Sequence, residues 1–208
     1  MPLGALMPEG LEPWGSLMRV STLPLALLAV ACAGACAAPP APVQNAVGPE
    51  AATSPDSTIT LSGSGEFTDD DTSAIAYNRK LAPKGAQASV TVESSGDETR
   101  TSLVAEGLLP DRRYGVHLHT KPCGDKPDDS GPHYQHTPGK IDPESEVWLD
   151  LSTDAQGAGR STARNDWALD PGKLPRSLVI HAKPTTPKGP EAGMAGDRVA
   201  CVTLEKTQ

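Results

Sequence analysis

The sequence predicts an all-β fold, an antiparallel sandwich or barrel that carries two long loops. Three observations predict it. From about Thr58 onward, short runs rich in Val, Leu, Ile, Thr and Ala are separated by clusters of Gly, Pro, Asp and Ser. Several runs alternate with period two: Ala88, Val90 and Val92 fall on one face, and Ser89, Thr91 and Glu93 on the other. No long segment shows a helical period with caps.

The chain begins with a different texture. Residues 20–38 carry no charge, and Met18-Arg19 stands just before them. A basic start, an apolar core from Leu23 to Ala31 and then small residues form the layout of a secretory signal. The core is too short to span a bilayer. Residues 1–17 contain Glu9 and Glu12 and no positive side chain, so we expect translation to start at Met18. Ala29-Val30-Ala31-Cys32 and Ala33-Gly34-Ala35-Cys36 both resemble the lipobox of bacterial lipoproteins, in which the Cys is acylated. Cys32 fits slightly better than Cys36, because it follows the Leu-rich core directly. Plain cleavage after Ala37 is the alternative. Residues 1–38 thus read as a leader, 39–57 as a Pro/Ala-rich spacer and 58–208 as the folded domain.

Within that domain the predicted strands are residues 73–78, 87–93, 100–108, 114–120, 146–151, 159–164, 178–183 and 198–204. Turn signals separate them: Pro83-Lys84-Gly85, Ser95-Gly96-Asp97, Leu109-Pro110-Asp111, Ala155-Gln156-Gly157 and Asp170-Pro171-Gly172. Aromatic residues make up 3% of the chain, so the core must rest mainly on aliphatic side chains. Two connections are long, 121–145 and 184–197, and long loops on a rigid β scaffold are where function concentrates.

The net charge of −8 argues against nucleic acid as a partner. It leaves room for a small anion steered by a local basic residue. Of the four cysteines, Cys32 and Cys36 sit in the leader. Cys123 and Cys201 in an exported domain read as a disulfide, with two buried free thiols as the alternative.

His117 and His119 stand two apart in Tyr114-Gly115-Val116-His117-Leu118-His119. On a strand both imidazoles point to one face, and Val116 and Leu118 to the other. His133 lies on the first long loop, and His181 closes the strand before the second. A lone strand histidine is more often structural than a ligand. Four of the five histidines beside two long loops are a stronger signal of a metal site. An imidazole-only set suits copper, nickel, iron or zinc.

Gly115-Val116-His117-Leu118-His119, Gly131-Pro132-His133-Tyr134, Val179-Ile180-His181 and Gly196-Asp197-Arg198-Val199-Ala200-Cys201 resemble, in order, the motifs of the copper/zinc superoxide dismutases. The resemblance covers roughly residues 70–205. It implies an eight-stranded antiparallel Greek-key β-barrel or sandwich. It also implies copper ligands at His117, His119, His133 and His181, a substrate-guiding Arg198 and a Cys123–Cys201 disulfide. The implied chemistry is dismutation of superoxide anion to oxygen and hydrogen peroxide by cycling copper. A surface ion pair with Asp197 or another acid is the competing role for Arg198.

The chain departs from the family at zinc. Only His136 follows His133 before the next strand, with Asp142, Glu144, Glu146 and Asp150 around it, so a complete zinc shell of the family type is missing. Zinc could still bind through His133, His136 and a carboxylate; without zinc, one of those carboxylates could orient His133 instead. Sixteen residues separate His181 from Arg198, a short loop that predicts an open copper site, and the family's aspartate linking the two metal shells has no clear counterpart. The pattern resembles the copper-only branch: an exported, membrane-anchored or secreted dismutase, compatible with a homodimer. A copper-binding or copper-delivery lipoprotein and a β module with vestigial histidines are the alternatives.

Overall fold

The computed structural model describes residues 58–207. The expectations on Met18, Cys32, Cys36 and the 39–57 spacer fall outside the described residues. The described residues form eleven strands: β1 Ile59–Glu66, β2 Ala74–Ala76, β3 Gln87–Ser95, β4 Glu98–Glu106, β5 Arg113–Tyr114, β6 Val116–His119, β7 Leu151–Ser152, β8 Gly159–Asn165, β9 Ser177–His181, β10 Arg198–Thr203 and β11 Glu205–Thr207. One 3₁₀ turn, Pro127–Ser130, is the only helical element among the described residues. The sheets are β11-β1-β3-β4-β8 and β2-β10-β9-β6, with a small β5-β7 ribbon. Every pairing between these strands is antiparallel. The two sheets form a sandwich and do not close into a barrel.

The period-two pattern decides which face each sheet buries. In the β3–β4 hairpin, Val90 stands opposite Leu103 and Ala88 opposite Ala105, and all four are buried in the main core. The second sheet contributes Val116, Leu118, Leu178, Ile180, Ala200 and Val202 to the same core. Its other face is also covered. There Ile75, Val179, Cys123 and Cys201 form a second apolar cluster, with Tyr77 packed against it. Phe67, Tyr114, Tyr134 and Trp167 join the aliphatic residues of the main core, so scarce aromatics still take central places.

The structure adds two strands to the predicted eight. β1 escapes the strand pattern because Gly63 and Gly65 interrupt it. Gly63 is required: a Cβ there would lie 2.2 Å from the Thr203 carbonyl oxygen. β11 is fully exposed and carries no apolar alternation to read. The predicted 114–120 strand breaks at Gly115, where the chain leaves β5 of the ribbon and enters β6 of the second sheet. The predicted 146–151 strand keeps a continuous ladder only at Leu151, with isolated bridges at Glu146 and Trp148. Its alternation survives, with Val147, Leu149 and Leu151 all buried in the core.

The first long loop is stapled to the second sheet. Cys123 and Cys201 form a disulfide across 78 residues of sequence, with Cα atoms 5.8 Å apart. The Cys123 N–H donates to Thr203 Oγ1 at 3.1 Å, and the Tyr77 hydroxyl to the Gly124 carbonyl at 2.9 Å. Closing a segment of this length stabilises the fold by about 4 kcal/mol in chain-entropy terms. Cys201→Ser should therefore lower the unfolding free energy by roughly that amount in urea titrations. Unchanged stability would show that the bridge contributes nothing.

Candidate metal centre

Each candidate ligand is placed by an apolar neighbour in sequence. Val116 and Leu118 enter the core, so His117 and His119 project from the opposite face of β6. β9 lies beside β6, with His117 opposite Val179 and His119 opposite Ser177. Leu178 and Ile180 face the core, which leaves His181 on the histidine side. His133 comes from the loop. Its segment runs against the end of β6, with the Tyr134 N–H donating to the Leu118 carbonyl at 2.8 Å and the Thr120 N–H to the Pro132 carbonyl at 3.1 Å. Tyr134 is buried in the core, and burial pushes its hydroxyl pKa up to about 12. With Tyr134 turned inward, the preceding His133 turns toward the other histidines.

The four rings converge, one nitrogen from each lying within 4.8 Å of all the others. His117 Nδ1 is 3.0 Å from His133 Nε2, and His119 Nε2 is 3.4 Å from His181 Nε2. The outer nitrogens explain the inner ones. His119 Nδ1–H donates to the Gly131 carbonyl at 2.9 Å, and His181 Nδ1–H to the Gly196 carbonyl at 3.1 Å. His133 Nδ1–H donates to Glu146 Oε2 at 2.9 Å. Carbonyls and carboxylates only accept, so these three imidazoles carry their proton outside and aim a lone pair inward. Lone pairs at such separations repel unless a cation lies among them. The donor set is therefore that of a metal site, and imidazole-only ligation fits copper.

Burial also keeps His117, His119 and His181 neutral. It is the largest cause holding His117 and His119 far below the ordinary histidine value, and the neighbouring imidazoles add to it. Burial lowers His181 to about 4, opposed in part by its bond to Gly196. Glu146 is 1% exposed. Burial alone would raise its carboxyl, but hydrogen bonds from His133, Trp148 and Gln135 outweigh that and hold it below the ordinary value.

Arg198 opens β10 directly opposite His181, just before an irregularity in the β9–β10 register. Its guanidinium donates to the carbonyls of Pro127 and Gly131 and to Ser130 Oγ, at 2.7, 2.8 and 2.9 Å. Among the described residues no carboxylate pairs with it, so the Asp197 ion pair is not formed. These neutral acceptors fix the side chain without cancelling its charge. A cleft of about 500 Å³ bounded by His133, His181, Glu146, Met194 and Arg198 gives access from solvent. A larger one, about 590 Å³, lies beside Leu61, Lys173 and Arg176 and touches none of the histidines.

His136 does not join the cluster. It is exposed and stacks on Trp167, with ring centroids 4.8 Å apart. Asp142 and Glu144 bind Lys140, and Asp150 binds Thr185. Of the four loop carboxylates, Glu146 is the one that reaches His133. Sequence reasoning left that choice open and missed Thr185, whose hydroxyl lies 2.8 Å from His117 Nε2. The 146–151 alternation could have singled out Glu146, Trp148 and Asp150 as one polar face opposite Val147, Leu149 and Leu151. Nothing local marks Thr185.

Residues 86–204 match the family model described as copper/zinc superoxide dismutase. The chain belongs to the copper/zinc superoxide dismutase family. Among solved structures, the Cu/Zn superoxide dismutase from Brucella abortus is similar, with TM-score 0.50 and 21% identity over 72% of this chain and 100% of that one. The clock protein EA4 matches with TM-score 0.44 and 20% identity over 71% of this chain and 92% of that one. No curated protein sequence matches the chain. The structural likeness agrees with the sandwich, and the family assignment with a dismutase-like four-histidine copper site.

Neutral buried ligands make the metal-free domain sensitive to acid. The unfolded chain protonates these imidazoles below about pH 6.5. The folded chain resists until about 4 at His181. Stability is thus full above about pH 6.5 and falls as the pH drops toward the folded value. Between about pH 7.5 and about pH 5, urea unfolding of the metal-free protein should show a loss of about 2 kcal/mol or more. A pH-independent midpoint would contradict the neutral-histidine site.

Proposed function

We propose that the protein is an exported superoxide dismutase that works with copper alone. The observation that carries this reading is the convergence of four inward-facing imidazole nitrogens beside an unneutralised Arg198 at the mouth of an open cleft. His117, His119, His133 and His181 would hold the metal. Copper, when bound, supplies the one-electron chemistry that takes two superoxide anions and two protons to oxygen and hydrogen peroxide.

The chain's own residues do the rest. Arg198 draws a small anion into a protein of net charge −8. Its three hydrogen bonds to the first loop keep that charge at the cleft. Glu146 keeps the proton on His133 Nδ1, so Nε2 stays a ligand. That contact occupies the nitrogen a bridging histidine would turn to zinc, which supports the copper-only reading. Export and a lipid anchor at Cys32 or Cys36 are part of the proposal, supported by the leader-like sequence of residues 1–38. The second reading, copper binding or delivery with little turnover, uses the same four histidines but gives Arg198 no task.

Copper-loaded, zinc-free protein, with unbound copper removed by a chelator, should accelerate superoxide decay well beyond a control of metal-free protein in the same chelator, and added zinc should not raise the rate. Decay equal to the control would overturn the dismutase reading and leave copper delivery. Arg198→Ala should slow the reaction about 10-fold or more and flatten its dependence on ionic strength, with Arg198→Lys in between. His119→Ala and His181→Ala should each abolish stoichiometric copper binding in equilibrium dialysis. Retained binding would mean that the cluster is not the copper site.

A further inference from the structure

Three of the four histidines hand their outer nitrogen to a group that can only accept. His117 is different. Its Nε2 faces the Thr185 hydroxyl, which both donates and accepts, so this contact alone leaves the tautomer open. His117 is also the one ring that turns Nδ1 inward, while the other three turn Nε2. Strand geometry accounts for the difference. Residues two apart on a strand are displaced by about 6.6 Å. Donor atoms from His117 and His119 must nonetheless meet within 4.8 Å. One ring reaches with its far nitrogen, Nε2, and the other with its near one, Nδ1. The far nitrogen of His117 then points away from the cluster, toward the start of the second long loop.

The next residue out resolves the proton. Thr185 N–H donates to Asp150 Oδ2 at 2.9 Å, and its hydroxyl donates to Asp150 Oδ1. The two bonds to one carboxylate hold Thr185 in a single orientation. A carboxylate accepts and does not donate, so the one hydroxyl proton is committed to Asp150. The oxygen that remains must accept from His117. Asp150 itself sits on the polar face of the 146–151 run, four residues after Glu146. One stretch of chain therefore anchors two ligands: His133 directly through Glu146, and His117 through Thr185.

We propose that Thr185, clamped by Asp150, is a positioning residue that fixes His117 as the Nε2–H tautomer and so presents its Nδ1 lone pair to the metal. The identity of that metal rests on the copper reading above; the tautomer does not.

The test uses the full chain, as wild type, Thr185→Val, Thr185→Ser and Asp150→Ala. Long-range ¹H–¹⁵N spectra of the metal-free proteins report the His117 tautomer. Copper(II) paramagnetic resonance and chelator competition report ligand geometry and affinity. Wild type should show Nε2–H at His117. Thr185→Val should lose that single tautomer, alter the copper hyperfine splitting and weaken copper(II) binding about 10- to 100-fold. Thr185→Ser, which restores the hydroxyl, should return all three. Asp150→Ala should shift the tautomer in the same direction and serves as the test should Thr185→Val not fold. The proposal falls if wild-type His117 carries its proton on Nδ1, or if affinity drops in the variants while the tautomer stays unchanged. Superoxide decay is not among these readouts. A protein that fails to dismutate leaves the relay standing, and a failed relay leaves the dismutase reading intact.

Discussion

The metal centre depends on burial of apolar residues that are not part of it. Val116 and Leu118 are essentially fully buried. Each is worth about 1.5–3 kcal/mol when removed from water. A one-residue slip of β6 would turn both out of the main core and bury His117 and His119 in hydrocarbon instead. The same holds at Ile180 beside His181 and at Tyr134 beside His133. The ligands are preorganised because their neighbours in sequence have only one acceptable direction.

Around that scaffold, polarity is sorted by radius. Inside lie nitrogen lone pairs without protons; outside lie acceptors that hold the protons in place. Burial keeps His117, His119 and His181 neutral, so protons compete weakly with a metal there near neutral pH. Glu146 contributes its negative charge at the outer nitrogen of His133, where it strengthens the ligand without occupying the cleft. Arg198 is treated in the opposite way. Neutral oxygens hold it, and its charge remains available to an anion.

The two long loops are fastened at their roots. The first is held by the disulfide and by Arg198. The second is held where the Gly115 N–H meets the Lys183 carbonyl at 2.7 Å and where Thr185 meets Asp150. Gly115 permits that approach, since a Cβ there would lie 2.5 Å from Ala195 Cβ and 2.8 Å from the Lys183 oxygen. Met194 and Arg198 both border the cleft beside the histidines.

Much of this was legible in the chain itself. Period two in residues 87–93 and 114–120 announced strands and put His117 and His119 on one face. The cysteine and histidine motifs, in order, carried the family resemblance and the four ligands. What alternation cannot reveal is which strands become neighbours. The β6–β9 pairing and the split of the 114–120 run at Gly115 are properties of the assembled sheets. β1 was hidden because Gly63 serves a close approach to Thr203 and Gly65 one to Ala74, contacts with no local trace. The choice of Glu146 over Asp142, Glu144 and Asp150 needed the packing of 146–151 beside β6. The assignment of Thr185 needed a loop root brought up against a strand far away in sequence. The sequence by itself determined the face on which each ligand stands, because hydrophobic burial acts residue by residue. Only the tertiary structure decided which outer groups hold those ligands in place, because a hydrogen bond depends on distances that sequence separation does not encode.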